Sequence, residues 1–181
     1  MSLEFKKLHP VFAAEVEGFD LRGANDKQAL DAIRAGMDKH AVLVFRDQKL
    51  GDQDQLAFAR RFDGELHAKT GAAVVGKNRF GNEALSDISN VDETGELLKA
   101  GDRRRMYQLG NRLWHTDASF QDPPGRYSML MAHVVPSVPA DTEFADMRAA
   151  YDALDAETQR TIEGLRVYHS IVYSRHVLGF D

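Results

Sequence analysis

Residues 113–120 read Leu-Trp-His-Thr-Asp-Ala-Ser-Phe, LWHTDASF, and set a histidine and a carboxylate two positions apart beside the chain's single tryptophan. The run that contains them, MYQLGNRLWHTDASF over 106–120, is strand-like. On a strand, side chains two apart leave from the same face. The pattern therefore predicts that His115 and Asp117 project together, with Thr116 on the other face and Asn111, Leu113 and Ser119 sharing their parity. An imidazole nitrogen and a carboxylate oxygen on one side can reach one cation, as two arms of a 2-His-1-carboxylate set that leaves positions open on iron. Open positions let a co-substrate and dioxygen meet at the same metal. The pair also reads as a structural hydrogen bond or as a general acid–base dyad.

Working outward, the Pro/Gly turn QDPPGR leads into YSMLMAHVV at 127–135, an apolar run expected to be a buried strand. Pro136 and Pro139 end it, and Asp141 to Phe144 begins another extended piece. Asp146 is placed to cap a helix carrying Met147, Ala150, Tyr151 and Leu154, and Asp155 a further helix reaching Gly164. LRVYHSIVY at 165–173 alternates as a strand would. Upstream, Asn25 to His40 reads as a helix capped by Asn25 with Gln28 as its reciprocal partner and Leu30, Ile33 and Met37 on one face. It feeds AVLVF at 41–45, an expected buried strand, and a helix from Asp52 with Gln55 as capping partner. Residues 63–105 are rich in Gly, Asn, Asp, Lys and Arg and read as a long irregular segment, either a lid or a surface excursion. Helices early and late around a β-rich middle fit a helix-decorated barrel or sandwich better than a doubly wound sheet.

At 181 residues the chain fits one domain, and 43% hydrophobic with 28% charged residues is ordinary for a folded one. A net charge of −5 argues against a general nucleic-acid binder. The basic cluster Arg103-Arg104-Arg105 reads as a solvated loop or as a site for an anion. With no cysteine, disulfide scaffolds, thiolate metal sites and cysteine nucleophiles are excluded, which leaves imidazole and carboxylate as metal donors. No run approaches a membrane span and MSLEFKKLHP lacks a signal-peptide core, so a cytoplasmic location without membrane partners is expected.

The stretches LHPVFAAEVEGFDLR, HAVLVFRDQ, QLAFARRF, DISNV, NRLWHTDASF, RYSMLMAHVVP, DTEFADMRAAYDAL and SRHVLGF run through nearly the whole chain. Together they resemble the iron(II)- and 2-oxoglutarate-dependent dioxygenases of the taurine dioxygenase superfamily. The resemblance implies a double-stranded β-helix, or jelly-roll, core with flanking helices. It implies Fe(II), 2-oxoglutarate and dioxygen as cofactor and co-substrates, with ascorbate as a stimulant, and a homo-oligomer acting on a small anionic molecule. By motif, His115 and Asp117 match the first two iron ligands. Thr142, 25 residues after Asp117, matches a threonine that hydrogen-bonds a 2-oxoglutarate carboxylate, and Asn111 matches an asparagine that contacts substrate or 2-oxoglutarate. Arg79, eight residues before Asp87, matches an arginine for the substrate carboxylate; His67 and Lys69 stand where related enzymes contact substrate.

The implied reaction is hydroxylation of a small carboxylate such as the aryloxyacetate 2,4-dichlorophenoxyacetate, with release of succinate and carbon dioxide. Hydroxylation beside the ether oxygen gives a hemiacetal that breaks into a phenol and glyoxylate. Asp117, where halogenases of this kind carry a small residue, implies hydroxylation rather than halogenation. The third ligand, a distal histidine, and an arginine for 2-oxoglutarate are expected beyond Asp181, so residues 1–181 are expected to be the N-terminal portion of a single longer catalytic domain. His133, His169 and His176, outside the expected context, are read as structural, with His133 facing the core. Two other functions stand beside this one. One is the same chemistry on a sulfonate such as taurine or on an alkyl sulfate; the other is a non-catalytic metal- or ligand-binding module of the same fold.

Overall fold

The computed structural model describes residues 3–23, 26–62, 64–68, 79–138, 140–177 and 179. Its strands are β1 (Phe5–Lys7), β2 (Ala14–Val16) and β3 (Leu43–Val44). Its α-helices are α1 (Lys27–His40), α2 (Asp52–Ala59), α3 (Arg103–Gln108), α4 (Met147–Asp152), α5 (Ala156–Ile162) and α6 (Ile171–Val177). The chain divides into two compact units, Met1–Gly64 with Met131–Leu165, and Glu65–Leu130 with Arg166–Asp181. Among the described residues no helix is long and apolar enough to cross a membrane.

In the first unit β1 pairs antiparallel with β2, Phe5 opposite Val16, and β2 pairs parallel with β3, Ala14 opposite Leu43. The parallel step is made through α1, as a βαβ connection requires. Ala14 and Val16 are buried and Glu15 between them is half-buried, the period of two expected of a strand with one covered face. Ala29, Ile33, Gly36 and His40 form the buried stripe of α1, spaced four, three and four residues apart. Leu30 and Met37, expected on that face, flank it half-buried. Gly36 lets the Phe5 ring lie against the helix: a β-carbon there would fall 2.8 Å from Phe5 Cζ and 3.1 Å from Leu43 Cδ1. The Phe5 ring stacks on His40, centroids 5.7 Å apart.

The helix caps differ from expectation by one residue, and geometry explains both. Asn25 lies outside the described residues, and α1 is capped by Asp26, whose extended backbone lets its carboxylate accept from Ala29 N at 2.7 Å. At α2 the cap position is Gly51, so the third helical residue is Asp54; its carboxylate, not Gln55, accepts from Gly51 N at 3.0 Å. Asp146 and Asp155 cap α4 and α5 as expected. Leu21, Leu50, Leu56, Phe58 and Phe62 are also buried, with Phe58 and Phe62 edge to face at 5.1 Å.

The second unit buries Leu85 and Leu98. Its described part of 63–105 is irregular, as expected, apart from α3 and one bridge between Val91 and Leu97. Asp92 organises the intervening turn by accepting from Thr94 N, Thr94 Oγ1 and Glu96 N at 2.7–3.0 Å.

Three strand expectations are corrected. Residues 106–108, expected in a strand, belong to α3, because Asp102 accepts from Arg104 N at 2.8 Å and caps a sequence of good helix formers. Residues 127–135 are not paired into a strand, and Leu130, Val134 and Val135 are exposed. Residues 165–170 are irregular and 171–177 form α6. An extended apolar run becomes a strand only when a neighbour takes its N–H and C=O groups in a continuous ladder, and among the described residues neither run is part of a strand. The mixed helix and sheet content is as expected, whereas the described strands amount to the eight residues of β1, β2 and β3.

Candidate metal centre

The segment that carries the His–Asp pair begins at a 3-10 turn, Leu109–Arg112, closed by Leu113 N donating to Gly110 O at 3.1 Å. Leu113 then turns extended, with ψ 144°, and its carbonyl faces the ring of His115. His115 Nδ1 donates to Leu113 O at 2.7 Å. A carbonyl only accepts, so the proton is on Nδ1 and the lone pair of the neutral ring is on Nε2. Residues 117–120 form a turn in which Ala118 has φ 53° and Gln121 N donates to Ala118 O at 3.1 Å.

This geometry brings His115 Nε2 to 3.4 Å from Asp117 Oδ1. The convergence expected from strand parity is present, although residues 114–116 pair into no strand, and Asn111 sits in the 3-10 turn instead of on a shared strand face. At the other side of the carboxylate, Ser128 Oγ donates to Asp117 Oδ2 at 2.5 Å. Each side chain thus has its far polar atom engaged and its near atom directed at the other residue.

The arrangement fits a cation held by nitrogen and oxygen. Two donors about 2.1 Å from one ion and at right angles stand about 3 Å apart, a few tenths of an ångström from the separation found. Histidine ligands generally donate their second N–H to a carbonyl or carboxylate, as His115 does to Leu113. The separation is longer than the about 2.9 Å that an N–H···O hydrogen bond favours. Both side chains are open to solvent, at 47% and 60% exposure, so a cation could reach them. Among the described residues no group of three or more His, Cys, Asp or Glu side chains is assembled.

The other expected site residues fall as follows. Arg79 forms a two-point pair with Asp87, Nε to Oδ2 at 2.6 Å and Nη2 to Oδ1 at 3.2 Å, and its guanidinium lies 5.1 Å from the Phe80 ring centroid. A carboxylate arriving at Arg79 therefore meets a guanidinium already engaged by Asp87. His67 Nδ1 contacts the side-chain oxygen of Gln121. Lys69 lies outside the described residues. Asn111, Arg79 and His67 share the second unit with His115 and Asp117, whereas Thr142 belongs to the first, on an exposed irregular stretch ahead of α4.

His133 is exposed and 3.8 Å from Asp52 Oδ1, so its expected core-facing position is corrected: it follows from a strand that does not form. His169 accepts or donates at Nδ1 with Ser119 Oγ at 2.7 Å. The basic cluster is partly neutralised from within. Arg104 bonds both Asp102 and Glu93, at 3.1 and 3.0 Å, which raises its pKa, while its hydrogen bond to Asp102 holds that carboxyl below the usual range. Ser128 was not legible as a site residue. Its only signal is a hydroxyl set in the apolar run YSMLM, which read as strand.

The family model described as "Taurine catabolism dioxygenase TauD, TfdA family" matches residues 4–179. The chain is 46% identical over 99% of its length to an alpha-ketoglutarate-dependent 2,4-dichlorophenoxyacetate dioxygenase of Cupriavidus pinatubonensis, covering 62% of that protein. It is 37% identical over 98% of its length to the (S)-phenoxypropionate/alpha-ketoglutarate-dioxygenase of Sphingobium herbicidovorans, covering 57% of it. Among solved structures, that of AAD-2 with Mn(II) and N-oxalylglycine superposes with a TM-score of 0.85 at 41% identity, over 99% of this chain and 60% of that one. The chain thus spans about three fifths of the length of these relatives. With a family match from residue 4 to residue 179, the chain belongs to the taurine catabolism dioxygenase (TauD, TfdA) family.

Proposed function

We propose that the protein carrying this chain is an iron(II)- and 2-oxoglutarate-dependent dioxygenase that hydroxylates a small carboxylate, with aryloxyalkanoates such as 2,4-dichlorophenoxyacetate as the substrate class. What carries the reading is the convergence of His115 Nε2 and Asp117 Oδ1 at 3.4 Å with their far atoms anchored by Leu113 O and Ser128 Oγ. The substrates for which two relatives are named, 2,4-dichlorophenoxyacetate and (S)-phenoxypropionate, support the substrate class. In this reading residues 1–181 belong to a single catalytic domain with a jelly-roll core and flanking helices, in a cytoplasmic homo-oligomer.

When bound, iron(II) with 2-oxoglutarate and dioxygen supplies the oxidation: one oxygen atom enters succinate as carbon dioxide leaves, and the other enters a substrate C–H bond. His115 and Asp117 hold the ion in this reading, together with a further histidine. Leu113 O keeps the imidazole in the tautomer that presents Nε2. Thr142 donates its hydroxyl to a 2-oxoglutarate carboxylate, and Asn111 contacts 2-oxoglutarate or substrate. Arg79 receives the substrate carboxylate in exchange with, or shared with, Asp87; His67 and Lys69 line the substrate.

The test is a turnover assay on the full-length protein with iron(II), 2-oxoglutarate and dioxygen. Succinate should form with 2,4-dichlorophenoxyacetate or (S)-phenoxypropionate, the former accompanied by 2,4-dichlorophenol and glyoxylate. Turnover confined to taurine or alkyl sulfates, within the family's broader description, would transfer the assignment to the sulfonate reading. No substrate-stimulated succinate with either class would leave the binding-module reading standing.

A further inference from the structure

We propose that Ser128 is a positioning residue for the metal centre. Resting on the iron-site reading above, it fixes the rotation of the Asp117 carboxylate so that Oδ1 faces His115 Nε2. An exposed aspartate turns freely about its terminal torsion, where both oxygens are equivalent and no single orientation is favoured. The 2.5 Å bond from Ser128 Oγ to Oδ2 breaks that equivalence. A hydrogen bond to an ionised acceptor is roughly twice as strong as one between neutral groups. It also occupies the oxygen that would otherwise compete for a cation, and so favours one-oxygen coordination by Asp117.

The chain delivers Ser128 to this place by reversing direction. Residues 117–120 form one turn, and Gly125 packs against Ala118, the methyl of which would stand 3.0 Å from a β-carbon at residue 125. That close approach returns the backbone to Asp117 three residues later. Ser119 is nearer in sequence, but its hydroxyl faces Thr116 O at 3.4 Å and His169 Nδ1 at 2.7 Å. The two hydroxyls of this segment thus have different tasks: Ser128 bonds Asp117, whereas Ser119 bonds Thr116 and His169.

The experiment compares Mn(II) binding, followed by EPR of the free ion, in the full-length protein and in variants. Ser128→Val and Ser128→Thr have the same shape and differ in the hydroxyl. Ser128→Val should weaken Mn(II) binding by about 10- to 100-fold, Ser128→Thr should bind close to wild type, and Ser119→Ala should bind as wild type, all with unchanged thermal midpoints. Equal affinity of Ser128→Val and Ser128→Thr would overturn the positioning role. Asp117→Ala tests the underlying site separately: if it binds Mn(II) as wild type does, the iron-site reading fails and the role of Ser128 with it.

Discussion

The methyl carbon of Ala118 stands 3.0 Å from the point that a β-carbon on Gly125 would occupy, tighter than ordinary van der Waals contact. Ala118 is itself in the left-handed region, φ 53°, where an L side chain costs about 1–2 kcal/mol. Gly125→Ala should therefore lower stability by about 1 kcal/mol, and Ala118→Gly should raise it by about 0.5 kcal/mol, strain relief set against the greater chain entropy of glycine. The two are coupled: in an Ala118→Gly background the Gly125→Ala penalty should largely disappear. Urea midpoints of the four proteins check the cycle, and additive effects would count against the contact.

Gly36 presents two opposed terms. Alanine gains about 1 kcal/mol of helix propensity over glycine, but its methyl would press on Phe5 Cζ at 2.8 Å and Leu43 Cδ1 at 3.1 Å. Overpacking of this kind costs about 1–3 kcal/mol, so Gly36→Ala should be destabilising by about 1 kcal/mol, and Phe5→Leu in the same chain should recover part of it. A stabilised Gly36→Ala would show that the Phe5 ring moves aside freely.

His40 is 5% exposed, and burial, with Lys39 and Lys7 nearby, holds its pKa below the ordinary 6.5. Above that value the ring is neutral in both folded and unfolded chains and contributes no pH dependence. As pH falls below it, the unfolded chain takes up a proton that the folded one declines, so stability drops until the folded pKa is reached. Urea midpoints at pH 7.5 and pH 5 should differ more in wild type than in His40→Gln. Equal differences would remove His40 as the source.

Asp117→Ala should abolish iron-dependent succinate formation while leaving the fold intact, because the side chain is exposed and its loss opens no core cavity. Retained turnover would sink the ligand assignment.

Arg79→Gln separates substrate binding from a surface ion pair. If Arg79 holds the substrate carboxylate equally in ground and transition states, KM should rise by about 10-fold or more with kcat little changed. If its partner is only Asp87, KM should stay put and stability change by less than about 1 kcal/mol.

The helices at Lys27–His40, Met147–Asp152 and Ala156–Ile162 were legible because a helix and its cap depend on residues within a few positions. So was the existence of the His115–Asp117 pair, and the family through its distributed motifs. Three things were not legible. The runs at 127–135 and 165–173 are apolar enough for strands, yet a strand needs a neighbour's hydrogen bonds, which no local pattern specifies. The turn at 117–120 places Ala118 in a conformation alanine seldom adopts, which no local pattern announces. Ser128 reaches Asp117 across an eleven-residue reversal. Sequence by itself determined which donor groups this chain offers; tertiary structure alone decided which oxygen of Asp117 faces His115, because that is set by the hydrogen bond from Ser128, which the local pattern does not connect to it.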